Sequence, residues 1–69
     1  MMVKEVKLRD VERFLESSGW HLARTTGGHN VWKSPDGIQT LAIPRHGTVT
    51  KGVVRQVVRI LPGAPDGWK

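Results

Sequence analysis

The chain has 69 residues and no cysteine. Neither a disulfide nor a thiolate metal site can therefore stabilise its fold. It also lacks an apolar run long enough to span a bilayer and any segment that resembles a signal peptide, so we expect a soluble cytoplasmic protein. A domain this short buries only a thin core. Its stability must come from efficient packing, from a partner, or from both.

Two further absences limit the chemistry. The three histidines, His21, His29 and His46, are separated by 8 and 17 residues, and without cysteine these spacings do not form a recognisable ligand set. We therefore expect no metal and no cofactor. The pair Gly27-Gly28 is not followed by Gly-Lys-Ser/Thr, which excludes a P-loop.

The positive charge is placed unevenly. The formal net charge is +5. Residues 1–16 hold four basic and four acidic side chains, whereas residues 17–69 hold seven basic and two acidic ones. A basic region attracts polyanions. Although a surface kept in solution by lysine and arginine is an alternative, the asymmetry favours a nucleic-acid partner.

Apolar spacing predicts an amphipathic helix over Leu8–Ser18, which Gly19 ends by tolerating a left-handed backbone. Three strands follow, at Trp20–Thr25, Asn30–Ser34 and Ile38–Ile43. The segment Ser34-Pro35-Asp36-Gly37 is typical of a hairpin turn, and Pro44 ends pairing. Arg45–Val49 is predicted to be a loop, and Thr50 to cap a second helix that reaches Leu61.

This order predicts a single α+β domain over residues 1–69, with a three-stranded antiparallel sheet and two helices packed on one of its faces. The other face stays open. The segment 62–69 is a breaker-rich tail, and its Trp68 is expected to dock on the body or on another chain. Trp20 is expected in the core. Trp32 is either a core residue, which we favour, or a side chain that stacks a base.

The most informative segment is Thr25-Thr26-Gly27-Gly28-His29-Asn30. Two glycines permit a tight turn without side chains, and His29 then starts a strand with open space in front of it. Histidine is well suited to move protons near neutral pH. Because the surroundings of His29 are basic, its natural partner is a phosphate. His21, by contrast with His29, is predicted to be only an exposed strand residue.

The order and spacing of five short motifs resemble the HicA-type mRNA interferase toxins. These motifs are Ser18-Gly19-Trp20, Gly27-Gly28-His29-Asn30, Ser34-Pro35-Asp36-Gly37, Ile43-Pro44-Arg45-His46 and Thr50-Lys51-Gly52-Val53-Val54. The resemblance covers about residues 8–61, so the tail lies outside it. Many members carry serine before the histidine, where this chain has Gly28.

The resemblance implies a fold similar to a double-stranded RNA-binding domain and a toxin that cuts messenger RNA without a metal. It implies a HicB-type antitoxin as the partner, and it places the family's essential histidine at His29. The expected role is that of a general base, which removes the proton of the ribose 2′-hydroxyl.

Other site residues are weaker candidates. His46 is the candidate for a second catalytic group that protonates the leaving oxygen, with a simple loop role as its alternative. The residues predicted to contact RNA are Gly28, Asn30, Arg24, Lys33, Arg45 and Lys51, the last of these near a helix N-terminus that attracts phosphate. Two other functions stay open, a non-catalytic RNA-binding module and a protein-interaction adaptor of the same shape.

Overall fold

The computed structural model describes residues 5–68. The elements, in chain order, are β1 (Val6–Lys7), α1 (Leu8–Ser17), β2 (His21–Thr25), β3 (His29–Lys33), β4 (Thr40–Pro44), β5 (Thr48–Val49), α2 (Lys51–Ile60) and a short 3-10 helix (Asp66–Trp68). The predicted α+β class is confirmed. No helix among residues 5–68 has the length and apolar character that a membrane crossing requires.

Helix α1 forms where its apolar spacing predicts it. Val11 and Leu15, one turn apart, are fully buried. The helix ends at Ser17, one residue before the predicted end, and Gly19 follows with a φ of +88°. Because side chains other than glycine rarely adopt that backbone region, Gly19 ends the helix as predicted.

Strands β2, β3 and β4 form an antiparallel sheet in that order. Side chains alternate between the two faces of a strand, and the face that carries Trp32, Leu41 and Ile43 packs against both helices in one core. In β2 the register shifts between Leu22 and Arg24. This bulge interrupts the regular alternation of side chains along the strand. Leu22, on this edge strand of the sheet, is 47% exposed.

Two predictions about the strands are wrong. Ile38 does not begin the third long strand: it lies in the turn, 81% exposed, and β4 starts at Thr40. The loop predicted at Arg45–Val49 contains β5, which pairs with β1 through Val6 opposite Val49 and Lys7 opposite Thr48. A strand of two residues is too short to show the alternation of apolar and polar residues that predicts a strand from sequence.

Helix α2 runs from Lys51 to Ile60, close to its predicted limits, and buries Val54 and Val57. Thr50 precedes it, but its side chain makes no capping hydrogen bond. In the tail, Trp68 is buried and meets the Phe14 ring of α1 edge to face, with 5.2 Å between ring centroids. Of the two expected docking places for Trp68, the structure therefore shows the body of the domain.

Candidate active site

His29 begins β3 at the end of a two-residue turn. The Thr26 N–H donates to the His29 carbonyl at 2.9 Å, and the His29 N–H donates to the Thr26 carbonyl at 3.4 Å. Neither Gly27 nor Gly28 has a positive φ. A Cβ atom added to either glycine would meet nothing within 4 Å. Neither the backbone conformation nor the packing therefore requires glycine at these two positions, and the turn places no side chain between Thr26 and His29.

A second strand holds the same turn from the other side. His29 lies opposite Pro44 of β4, and the Arg45 N–H donates to the Gly28 carbonyl at 2.9 Å. Backbone hydrogen bonds thus reach the turn from β2 and from the end of β4. The backbone of His29 is fixed while its side chain stays exposed.

The imidazole belongs to the open face of the sheet. Along β3, His29, Val31 and Lys33 share the face opposite Asn30 and Trp32, because side chains alternate. Cross-strand partners share a face, so Arg24, which pairs with Val31, joins them there. His29 and Lys33, both exposed, lie about 13 Å apart along the strand, at roughly 3.3 Å per residue.

Cationic side chains surround a shallow hollow on this face. Its volume is about 420 Å³, and Ala23, Arg24, Val31, Lys33 and Thr40 line it. Arg24 and Lys33 are exposed, and neither pairs with an acidic side chain within residues 5–68. An anion that enters the hollow therefore meets two uncompensated positive charges a few residues from His29.

The structure brings only some of the remaining candidates close to His29. Arg45 and His46 are exposed in the segment that leaves β4 just beyond the residue opposite His29. Lys51 is the exposed first residue of α2. Asn30 is half-buried on the helix-facing side, and its amide nitrogen donates to Glu12 Oε2 at 2.7 Å. Its side chain does not share the face of His29.

The tryptophans are structural. Trp20 and Trp32 are 5% and 4% exposed, as expected of core residues, so Trp32 offers no ring face to an unstacked base. The Trp32 indole N–H is buried and has no acceptor within residues 5–68. In the same described part of the chain, no cluster of three or more His, Cys, Asp or Glu side chains could hold a metal ion.

Sequence reasoning missed one residue of this region. Glu12 reads as a solvated helix charge, yet it hydrogen-bonds Asn30, 18 positions further along the chain. No short-range pattern connects two such positions, so only the packing of α1 on the sheet could reveal the contact.

The fold and the site define a small α+β domain that presents a histidine beside cationic side chains on an open sheet face. A family model described as "HicA toxin of bacterial toxin-antitoxin" matches residues 8–61. The chain belongs to this family and is thus the toxin of a toxin–antitoxin pair, with an antitoxin as its partner. No curated protein and no solved structure gives a significant match.

Proposed function

We propose that this toxin is a metal-independent endoribonuclease that cleaves messenger RNA, with His29 as the general base. The observation that carries the proposal is the placement of His29: an exposed imidazole on a backbone fixed by hydrogen bonds from two strands, beside a cation-lined hollow. A positioned general base contributes about 10²–10⁴-fold in rate. That contribution suffices for a toxin that acts on many transcripts.

RNA brings its own nucleophile to this site. His29 takes the proton of a ribose 2′-hydroxyl, and the 2′-oxygen attacks the adjacent phosphorus. The bond from phosphorus to the 5′-oxygen of the next nucleotide breaks, and that oxygen receives a proton. The products are a 2′,3′-cyclic phosphate and a 5′-hydroxyl. The reaction as written needs neither a metal nor an external nucleophile.

The basic side chains supply binding and charge stabilisation. Arg24 and Lys33 flank the hollow on the open face, where they hold phosphates further along β3 than the scissile one. Arg45 follows the residue opposite His29 and is the cation best placed to meet the charge that develops on the phosphorane. Lys51 contacts RNA only if the strand extends to the start of α2.

His46 is the proposed source of the leaving-group proton. It follows Arg45 in the same exposed segment, so it lies near the turn without being fixed by strand hydrogen bonds. Water is the alternative proton donor. If His46 is the donor, His46→Ala slows cleavage of an ordinary RNA much more than cleavage of an RNA with a 5′-thio leaving group, which needs no protonation.

The antitoxin is proposed to be of the HicB type. An acidic antitoxin surface that covers the open face would neutralise Arg24 and Lys33 and block access to His29. The antitoxin would also bind the toxin quickly, because the charges of the two surfaces are complementary. A charge-based complex of this kind loses association rate as salt rises.

The deciding experiment is RNA cleavage in the presence of a chelator. Wild-type protein is expected to cleave a single-stranded RNA and leave 2′,3′-cyclic phosphate ends. A substrate with a 2′-deoxy sugar at the cleaved position is expected to resist. His29→Ala is expected to lose at least about 10²-fold in rate, with an unchanged unfolding temperature.

His21→Ala is the matched control, since His21 is another exposed histidine at a strand end of the same sheet, and its rate should equal that of the wild type. Equal cleavage by His29→Ala would exclude His29 as the base. Salt-sensitive RNA binding without any product would instead identify a non-catalytic RNA-binding module. Tight binding of a protein partner with no RNA binding would identify an adaptor.

A further inference from the structure

The end of β3 that carries His29 is held to helix α1 by a polar contact. On the helix-facing side of β3, Trp32 is deeply buried, but Asn30, the position nearest the turn, is a half-buried amide. On the neighbouring strand every residue of β2 is exposed. Apolar packing therefore thins out towards the turn on the β2 side, and something else must fix that corner.

A chain of two side-chain hydrogen bonds occupies this corner. The Thr25 hydroxyl donates to Asn30 Oδ1 at 3.1 Å, and Asn30 Nδ2 donates to Glu12 Oε2 at 2.7 Å. Thr25 and Asn30 are register partners and lie just outside the Thr26–His29 turn. The three side chains thus join β2, β3 and α1 directly behind the histidine.

The bond to Glu12 is the stronger of the two. Its acceptor is a carboxylate and its distance is short, and charge-assisted hydrogen bonds are about twice as strong as neutral ones. Within residues 5–68 it is the one side-chain hydrogen bond that connects α1 to the three-stranded sheet. It is part-buried, so it is screened less than a surface contact.

We propose that Glu12 is a positioning residue: by holding Asn30, it fixes the strand position from which the adjacent His29 reaches the 2′-hydroxyl. Glu12 touches neither RNA nor the imidazole, and it acts only through the backbone that Asn30 and His29 share. The inference rests on the proposed ribonuclease function. A misplacement of about 1 Å can cost about 10²-fold in rate, so a loosened turn should lower kcat and leave KM largely unchanged.

The chemistry of the pair allows a sharp test. Glu12→Ala removes the acceptor and is expected to reduce kcat about tenfold, within the range that misplacement allows. Glu12→Gln keeps an amide oxygen as acceptor and should stay close to the wild-type rate. Asn30→Asp places a second carboxylate against that of Glu12, and the two repel each other. Its kcat should therefore fall at least as much as that of Glu12→Ala.

The double variant Glu12→Gln with Asn30→Asp reverses the bond, since the glutamine amide now donates to the aspartate, and it should recover most of the rate lost by Asn30→Asp. Glu16→Ala is the matched control, because Glu16 is an exposed carboxylate one turn further along α1 and lies outside this hydrogen-bond chain. Its kcat should not change. An unchanged kcat in Glu12→Ala, or a double variant no faster than Asn30→Asp, would overturn the proposal.

Amide hydrogen exchange gives a readout that does not depend on cleavage. In Glu12→Ala the His29 N–H, bonded to the Thr26 carbonyl, should exchange about tenfold faster or more. The Ser34 N–H, bonded to the Gln39 carbonyl at the far end of the same hairpin strand, should keep its rate. If wild-type protein does not cleave RNA, the proposed function fails, and the exchange rates alone decide whether Glu12 holds the turn. Equal acceleration at both amides would mean general destabilisation and would overturn the positioning role.

Discussion

The two ends of β3 lead into turns of opposite construction. At the far end, the Ser34 hydroxyl donates to Asp36 and accepts from the Gln39 N–H, and Asp36 also accepts from the Ile38 N–H. At the near end, Gly27 and Gly28 bring no side chains, and the Thr26 hydroxyl donates to the His29 carbonyl at 3.3 Å. The far turn is thus braced by a network of its own side chains, whereas the near turn is held mainly by backbone hydrogen bonds and by neighbouring elements.

The difference separates two tasks within one strand. The far turn packs against the end of α1, where Gly19 approaches Pro35, and it serves the register of the β3–β4 hairpin. The near turn leaves His29 exposed, as the proposed cleavage of RNA requires. We therefore expect substitutions at the far turn to change stability and those at the near turn to change activity.

The largest effect on stability is expected from Gly19→Ala. Its φ of +88° is costly for alanine, and the new Cβ would lie 3.0 Å from Pro35 Cγ. We expect a loss of about 2 kcal/mol in the free energy of unfolding and a fall of about 10 °C in Tm, measured by thermal unfolding. Gly52→Ala, in an open position of α2, is the control and should raise Tm slightly. Equal shifts in both would contradict the backbone explanation.

Gly37→Ala should lower the free energy of unfolding by less than Gly19→Ala does. The φ of Gly37 is +77°, but a Cβ there would meet nothing within 4 Å, so only the backbone penalty of about 1 kcal/mol applies. The midpoint of urea unfolding measures it. Cleavage per folded molecule should stay at the wild-type value, and a selective loss of activity would break the separation between the two ends.

A smaller effect concerns acid. The hydrogen bond from Ser34, followed by that from the Ile38 N–H, lowers the pKa of Asp36 below its ordinary value of 3.8. A carboxyl whose pKa is lower in the folded state stabilises the fold above its unfolded pKa, and this contribution is lost as pH falls through the folded pKa. Asp36→Asn should therefore lower Tm near neutral pH, and the difference from wild type should shrink as pH falls through the lowered pKa of Asp36. If the difference in Tm between Asp36→Asn and wild type does not change with pH, the ionisation of Asp36 does not contribute to stability in this way.

The smallest effect on stability is expected at the near turn. Gly28→Ser adds a side chain to a residue with ordinary φ and open surroundings, so the free energy of unfolding should change by less than about 0.5 kcal/mol. Chemical denaturation measures the stability, and a loss as large as that of Gly37→Ala would show that the near turn is also tightly constrained.

Much of this architecture could be predicted because its signals are local. The spacing of Val11 and Leu15, the stop at Gly19 and the turn before Gly37 each depend on a few neighbouring residues. The strand boundaries are harder to predict, because apolar Ile38 resembles a strand residue but lies in a turn. The bulge in β2 also breaks the regular alternation of side chains in a strand.

What the sequence could not predict depends on long-range packing. The β1–β5 pair and the bond from Asn30 to Glu12 join segments that no periodicity connects. The candidate site divides in the same way. The exposure of His29 can be predicted from its turn. The orientation of the Asn30 side chain towards α1 depends on the register of β3 in the assembled sheet, which the sequence does not show.

The small β1–β5 pair has a consequence for the order in which the chain can fold. Val6 emerges from the ribosome before its partner Val49, which is translated 43 residues later. The pair closes a loop that contains α1 and the entire three-stranded sheet, so this clasp forms only after all of these elements have been made. A message cut upstream of the Val49 codon yields a chain that lacks both the clasp and α2.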